Sequence, residues 1–154
     1  MRLHRLEQLQ KLPIPLSRAW DFFADPRNLA VVTPPAMRLQ ITSELPETMY
    51  AGMLITYRLR PLPGVPVSWV NQITHVEAPH RWVDEQRFGP YRFFHHQHLF
   101  REIEGGVEMT DLVHYVLPRG TGPVSRLLVG PALRDLFAYR RRVLERTFGA
   151  WTAE

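Results

Sequence analysis

Apolar and polar residues alternate through the middle of this chain, and a helical period replaces the alternation near its end. Met53, Ile55, Tyr57 and Leu59 are apolar while Thr56, Arg58 and Arg60 are polar, the period of two that a strand with one wet face requires. Arg38 to Glu44 alternates likewise, with Leu39 and Ile41 on one face. Val67 to Val76 reads as a further strand, stopped by Ala78-Pro79, and Pro61-Leu62-Pro63-Gly64 reads as the turn before it. From Trp82 to Tyr115, Gly89-Pro90 and Gly105-Gly106 divide the sequence into a three-stranded antiparallel meander. At the start, Leu3, Leu6, Leu9 and Leu12 recur every third residue; Pro13 and Pro15 end the run so soon that a first strand is the better reading. Leu16-Ser17 then opens a helix, capped by Ser17 or its neighbour, with Ala19, Trp20, Phe22 and Phe23 on its apolar face. Asp25-Pro26 begins a second short helix that runs through Val32, and Thr33-Pro34-Pro35 ends it. From Pro123 to about Ala150 the pattern is helical, with a stripe of Leu133, Leu136, Phe137, Arg140, Leu144 and Phe148. Pro131 either starts this helix or kinks it, and Gly149 stands where a C-cap belongs.

The element order is strand, two short helices, six strands and one long helix. A single antiparallel sheet with one apolar face must cover that face with the helix. The expected class is α+β, a sheet curled around one helix. One helix does not fill the whole concave face, so a cavity between them is the natural result.

Composition narrows the functional classes. The 154 residues are 45% hydrophobic and 11% aromatic, enough for one domain with a real core. There is no cysteine, which removes disulfides, thiolate nucleophiles and cysteine-based zinc sites. The net charge of +4 comes from 19 Lys+Arg against 15 Asp+Glu. Many of the arginines gather late, at Arg126, Arg134, Arg140, Arg141, Arg142 and Arg146, as the solvated face of an amphipathic helix. No aromatic platform is interleaved with them, so nucleic acid is not an expected partner. No apolar run reaches roughly 18 residues and the N-terminus lacks an apolar leader; the expectation is a cytoplasmic protein without integral membrane contact. No phosphate loop, nucleophile elbow or dinucleotide fingerprint occurs, so phosphoryl transfer, serine hydrolysis and nicotinamide redox have no sequence support.

Specific local motifs accompany this order. They include Phe22-Phe23-Ala24-Asp25-Pro26-Arg27-Asn28-Leu29, Thr33-Pro34-Pro35, Tyr57-Arg58-Leu59-Arg60, Trp69, Ile73-Thr74 and Asp84-Glu85-Gln86. Gly89-Pro90-Tyr91, His96-Gln97-His98, Phe100, Asp111, Tyr115, Pro118 and Phe137-Ala138-Tyr139-Arg140 complete them. Together they resemble the START-related helix-grip superfamily (SRPBCC, polyketide cyclase-like), nearest to a bacterial ligand-binding subfamily of unassigned chemistry. The resemblance covers nearly the whole chain, and residues 1–154 are expected to form one domain. It implies a seven-stranded curved antiparallel sheet wrapped around a long C-terminal helix, with two short helices after the first strand. It also implies a pocket for a small hydrophobic ligand; no cofactor is expected.

Register gives the candidate site. With Gly89-Pro90 as a two-residue turn, Glu85 faces Phe94 and Val83 faces His96. With Gly105-Gly106 as the next, Phe100 faces Asp111, His98 faces Val113 and His96 faces Tyr115. One face then carries Glu85, Phe94, His96, His98, Phe100, Asp111 and Tyr115, and it is assigned to the concave side. Trp82, Asp84, Gln86, Tyr91, His95 and His114 fall on the other. Tyr57, Trp69 and Phe137 join the pocket wall, and Arg140 either snorkels or reaches Glu85 or Asp111. A carboxylate beside an imidazole holds a polar ligand group or serves as general acid/base, with His96, His98 and Asp111 the catalytic candidates. The alternative is a satisfied structural network. His96 and His98 share a face and, with Asp111 or Glu85, have the donor set of a His₂-carboxylate metal site. Nothing else in the sequence supports a metal, and none is assigned. Three functions remain: binding or transport of a small hydrophobic molecule with a polar group, a non-redox enzyme of the polyketide cyclase/dehydratase type, and an interaction module using the basic last helix. The sequence leaves the oligomeric state open.

Overall fold

The computed structural model describes residues 1–62, 65–118 and 122–152. Strand β1 (His4–Leu12) leads into helix α1 (Leu16–Phe23), followed by two single turns of 3₁₀ helix at Pro26–Leu29 and Pro35–Met37. Strands β2 (Gln40–Ile41), β3 (Leu54–Leu62), β4 (Val65–Glu77), β5 (Arg81–Phe88), β6 (Phe93–Ile103) and β7 (Gly106–Val116) follow, and helix α2 (Gly122–Phe148) is the last described element. All seven strands form one antiparallel sheet in the order β1-β7-β6-β5-β4-β3-β2. This is the helix-grip architecture expected from the sequence.

Several local expectations change. The N-cap of α1 is Pro15, with no side-chain cap bond, so Ser17 is not a cap. The second short helix is 3₁₀ and stops at Leu29; Asp25 caps it by accepting from the Arg27 amide at 3.0 Å. Arg38 to Glu44 yields only the two-residue β2, and Arg38 itself adopts a left-handed conformation ahead of it. Pro61 and Leu62 belong to β3 rather than to a turn, and Pro63 and Gly64 lie outside the described residues. Pro131 sits inside α2, where it removes one internal hydrogen bond. Gly149 ends that helix at φ +100°, its amide bonded to the Glu145 carbonyl, as the C-cap reading requires. The side chain of Arg126 lies outside the described residues.

The core has two apolar parts. One gathers Met53, Ile55, Trp69, Ile73, Phe94, Val113, Leu133 and Phe137. The other gathers Leu12, Ala19, Phe23, Phe100, Val107, Met109 and Leu144. Between them runs a polar belt. Along β6 it interrupts Phe94 and Phe100 with His96 and His98; along β7, Asp111 separates Met109 from Val113; along α2, Arg140 separates Phe137 from Leu144. At the sheet edge, Arg141 donates to the Leu9 carbonyl of β1, and Gln10 Nε2 donates to the Arg141 carbonyl at 3.2 Å. Among the described residues no helix is long and apolar enough to cross a membrane.

Candidate binding site

The meander sets the site, with a register that differs from the expectation at both turns. Between β5 and β6 the loop is Gly89–Arg92, four residues rather than two. Gln86 closes it: its side chain donates to the Tyr91 carbonyl at 2.7 Å and accepts from the Tyr91 amide at 3.1 Å. Tyr91 is thereby folded inward, with ring contacts to Trp69, Phe94 and Tyr115. Burying that ring outweighs the tight Gly-Pro turn, and the register slips by one. Asp84 pairs with His96 and Trp82 with His98, while Glu85 pairs with His95. A one-residue slip inverts a strand's faces. Asp84 and Trp82 are therefore concave, and Glu85 is corrected to the outer face, 3.2 Å from Arg87 and 3.9 Å from His95.

At the second turn the connecting pair is Glu104-Gly105, with Gly105 at φ +78° and Ile103 paired to Gly106. That shift is two residues, so faces are preserved while partners change. His98 lies opposite Asp111, His96 opposite Val113 and Phe94 opposite Tyr115.

The result is a buried, connected cluster. His96 Nε2 is 2.8 Å from Asp111 Oδ1, and His98 Nε2 is 2.9 Å from Asp84 Oδ1. His98 Nδ1 stands 3.2 Å from Asp111 Oδ1 without hydrogen-bond geometry, and His96 Nδ1 stands 3.8 Å from Asp84 Oδ1. Arg140 reaches down from α2 to place Nη1 3.3 Å from Asp111 Oδ1, lying against the Phe23 and Phe137 rings. Of the two roles open to Arg140, the ion pair is the one realised, and Asp111 is its partner. Trp82 stacks on His98 with centroids 3.4 Å apart, and the two imidazoles are 3.7 Å apart.

A second chain of bonds fixes Asp84. Trp69 Nε1 donates to Asn71 Oδ1 at 2.7 Å, and Asn71 Nδ2 donates to Asp84 Oδ2 at 2.5 Å. An indole N–H only donates, so the Asn71 oxygen must face Trp69 and its amino group must face Asp84. The carboxylate is thus held in one orientation from behind.

Electrostatics follow from burial and contact. Desolvation, helped by the neighbouring His98, lowers the His96 pKa from 6.5 and favours the neutral ring, despite the pull of Asp111 and Asp84. A neutral His96 donating from Nε2 to Asp111 leaves Nδ1 as a lone pair. Burial by itself would raise the Asp111 carboxyl, but the Arg140 guanidinium and the two imidazoles hold it well below the usual carboxylate range. Burial, then the charge of Asp84, pushes the Tyr57 hydroxyl up, so it stays protonated.

A cavity of about 210 Å³ opens beside this cluster between sheet and helix. Its walls include Ile55, Tyr57, Leu59, Trp69, Phe94 and Phe137, and Asn71, Asp84, His96, His98 and Arg140 form its polar part. Leu29, Thr33, Met37 and Pro61 also line it, which places the short-helix region and the end of β3 at its wall. Among the sequence candidates, Tyr57, Trp69, Phe94, His96, His98, Phe137 and Arg140 are brought together there. Four are not among the lining residues. Asp111 lies behind the histidines, Tyr115 stacks on His4, Phe100 packs in the second apolar cluster, and Glu85 faces outward. Sequence reasoning missed Asp84, Trp82 and Tyr91 through the register slip. It also missed Asn71, although a polar residue between Trp69 and Ile73 on an apolar face was a usable signal.

No family model and no curated protein matches the chain. Solved structures do. Protein Ms6760 from Mycobacterium smegmatis is similar over 99% of both chains, with 17% identity and a TM-score of 0.72. TTHA0849 from Thermus thermophilus shares 18% identity over 94% of this chain and 95% of its own, at a TM-score of 0.68. Ara h 8.0201 shares 12% over 94% and 97%, also at 0.68. Likeness at this level establishes the fold.

Proposed function

We propose that the protein binds a small, largely apolar molecule and fixes one polar group of it against Asp84, His98 and Arg140. The supporting observation is a cavity walled by aromatic and aliphatic side chains whose polar atoms converge at one place, the usual profile of a ligand site. The volume of about 210 Å³ favours a guest smaller than drug-sized ligands, whose sites run from about 300 Å³ upward. The guanidinium of Arg140 lines the cavity and brings a fixed positive charge to its polar end, which suits an oxygen acceptor on the guest. Cytoplasmic residence remains the expectation from sequence.

Native mass spectrometry of the protein as purified, against its denatured mass, tests this. An organic adduct lost on denaturation supports it and names a ligand class. No adduct, together with unchanged Trp69 and Trp82 fluorescence across a panel of small aromatic acids and alcohols, defeats it. A second reading, a non-redox enzyme of the cyclase/dehydratase type, is favoured by one observation: the lone pair of His96 Nδ1, on a ring oriented by Asp111. Turnover of a cyclic ketone that disappears in His96→Ala tests that. The basic-helix interaction reading is weakened, because Arg140 is turned inward onto Asp111.

A further inference from the structure

We infer that Asp84, His96 and His98 form a binding site for one divalent first-row transition-metal ion, zinc or iron(II) in class, with its open side toward the cavity. Their ligand atoms all lie within 4.8 Å of one another, and all three residues are buried. The atoms available are Asp84 Oδ1, His98 Nε2 and His96 Nδ1. The carboxylate oxygen stands 2.9 Å from the first nitrogen and 3.8 Å from the second. Bonds of about 2.0–2.1 Å in a tetrahedral site place ligand atoms roughly 3.3 Å apart, between those two values. Rotation of the two rings would bring the three atoms to the common separation that one ion requires.

The support around the triangle is what a metal site needs. Ligating histidines donate their other N–H to an orienting group. Here one carboxylate does so for both rings: Asp111 Oδ1 is 2.8 Å from His96 Nε2 and 3.2 Å from His98 Nδ1. Asp111 is in turn held by Arg140, and Asp84 by Asn71 and Trp69. The metal-free geometry also has a defect that the ion repairs. With His98 Nε2–H donating to Asp84, the buried Nδ1 has no hydrogen-bond partner among the described residues. An ion between Nε2 and Asp84 replaces that proton, moves the ring proton to Nδ1, and turns it toward Asp111. The charges agree as well. The formal charges of the two carboxylates and the one guanidinium, Asp84, Asp111 and Arg140, sum to one negative. A divalent ion overshoots by one, which an anionic oxygen entering from the cavity balances. His₂-carboxylate donor sets with an open position suit zinc and iron(II). Asp84, and not the Asp111 or Glu85 considered from sequence, is the third ligand.

Cobalt(II) and zinc(II) are the probes. Chelator-treated protein is expected to take up one equivalent of Co(II) with the visible absorption of a four- or five-coordinate ion, displaced by Zn(II). Asp84→Asn and His98→Ala should abolish uptake. Asp111→Asn should keep the stoichiometry and weaken affinity about 10–100-fold, as loss of an outer-shell partner does. Ring-nitrogen NMR of the unaltered protein removes any dependence on variant folding: Zn(II) must shift His96 Nδ1 and His98 Nε2. Unmoved ring signals at His96 and His98, or uptake undiminished in both ligand variants, overturn the inference. An organic guest without metal uptake defeats this inference alone, and metal uptake without a guest defeats only the binding reading.

Discussion

Replacing Arg140 with methionine isolates the energetic role of the polar belt. The side chain of Arg140 is 11% exposed and that of Asp111 likewise 11%, so the pair is a buried one. Methionine keeps most of the stem, and its packing near Phe23 and Phe137, but removes the cation that holds Asp111 ionised. Breaking a buried pair from one side costs about 3–5 kcal/mol, because the remaining charge is left uncompensated. Against a total stability of about 5–15 kcal/mol, that is a large share. At about 2–4 °C per kcal/mol for a chain of this length, Tm should fall by roughly 6–20 °C. Urea unfolding at neutral pH supplies the free energy and calorimetry supplies Tm. Arg101→Met is the control: Arg101 is 71% exposed and pairs with Glu108 across the strands, so its loss should cost at most about 1 kcal/mol. If Arg140→Met costs no more than Arg101→Met, the belt is not electrostatically coupled and this account is wrong.

Acidification should destabilise the protein in two steps. Lowered folded pKa values mean that the unfolded chain binds protons the native state resists, so stability is complete above 6.5 for His96 and above 3.8 for Asp111, and falls as pH drops through each folded value. Urea midpoints that rose between about pH 7.5 and about pH 5 would contradict the buried, neutral His96. Gly106→Ala should cost about 3 kcal/mol or more, since its Cβ would lie 2.1 Å from the Leu12 carbonyl oxygen, a backbone atom that cannot step aside. A melting temperature unchanged in that variant would show that β1 and β7 are not packed as described. Trp69→Phe keeps an aromatic ring but leaves Asn71 Oδ1 without its donor, at a cost of about 1–3 kcal/mol in urea unfolding. A loss no larger than that of the exposed Arg101→Met control would show that the indole does not orient Asn71.

The strands, their order and the closing helix were legible because each carries its own period. Ile55 to Arg60 alternates strictly, and Leu133, Phe137 and Leu144 recur at helical spacing. The His96, His98, Asp111 face was legible for a narrower reason. An error of two residues at Glu104-Gly105 keeps parity, so those groups stayed together even with wrong partners. At Gly89 the error was one, and parity failed. Trp82-x-Asp84-x-Gln86 and Val83-x-Glu85-x-Arg87 each begin apolar and continue polar, so alternation does not choose between them. The choice was made by Tyr91, a loop residue whose burial against Trp69 and Phe94 is a tertiary event with no local signature.

One arginine of the last helix bears on a different question, how copies of this chain stay apart. Among the described residues strand β1 pairs only with β7, so its far side is the open edge of a nine-residue strand, a surface on which a second molecule's strand could grow. Arg141 occupies the Leu9 carbonyl and Gln10 engages the helix in return, so an incoming strand must first displace a charged side chain and loosen the helix. At the opposite margin, β2 offers only two residues for such growth. Part of the positive charge that first suggested a docking surface is thus engaged at this sheet edge, and conditions that detach this helix should expose the chain to strand-by-strand aggregation beginning at His4–Leu12.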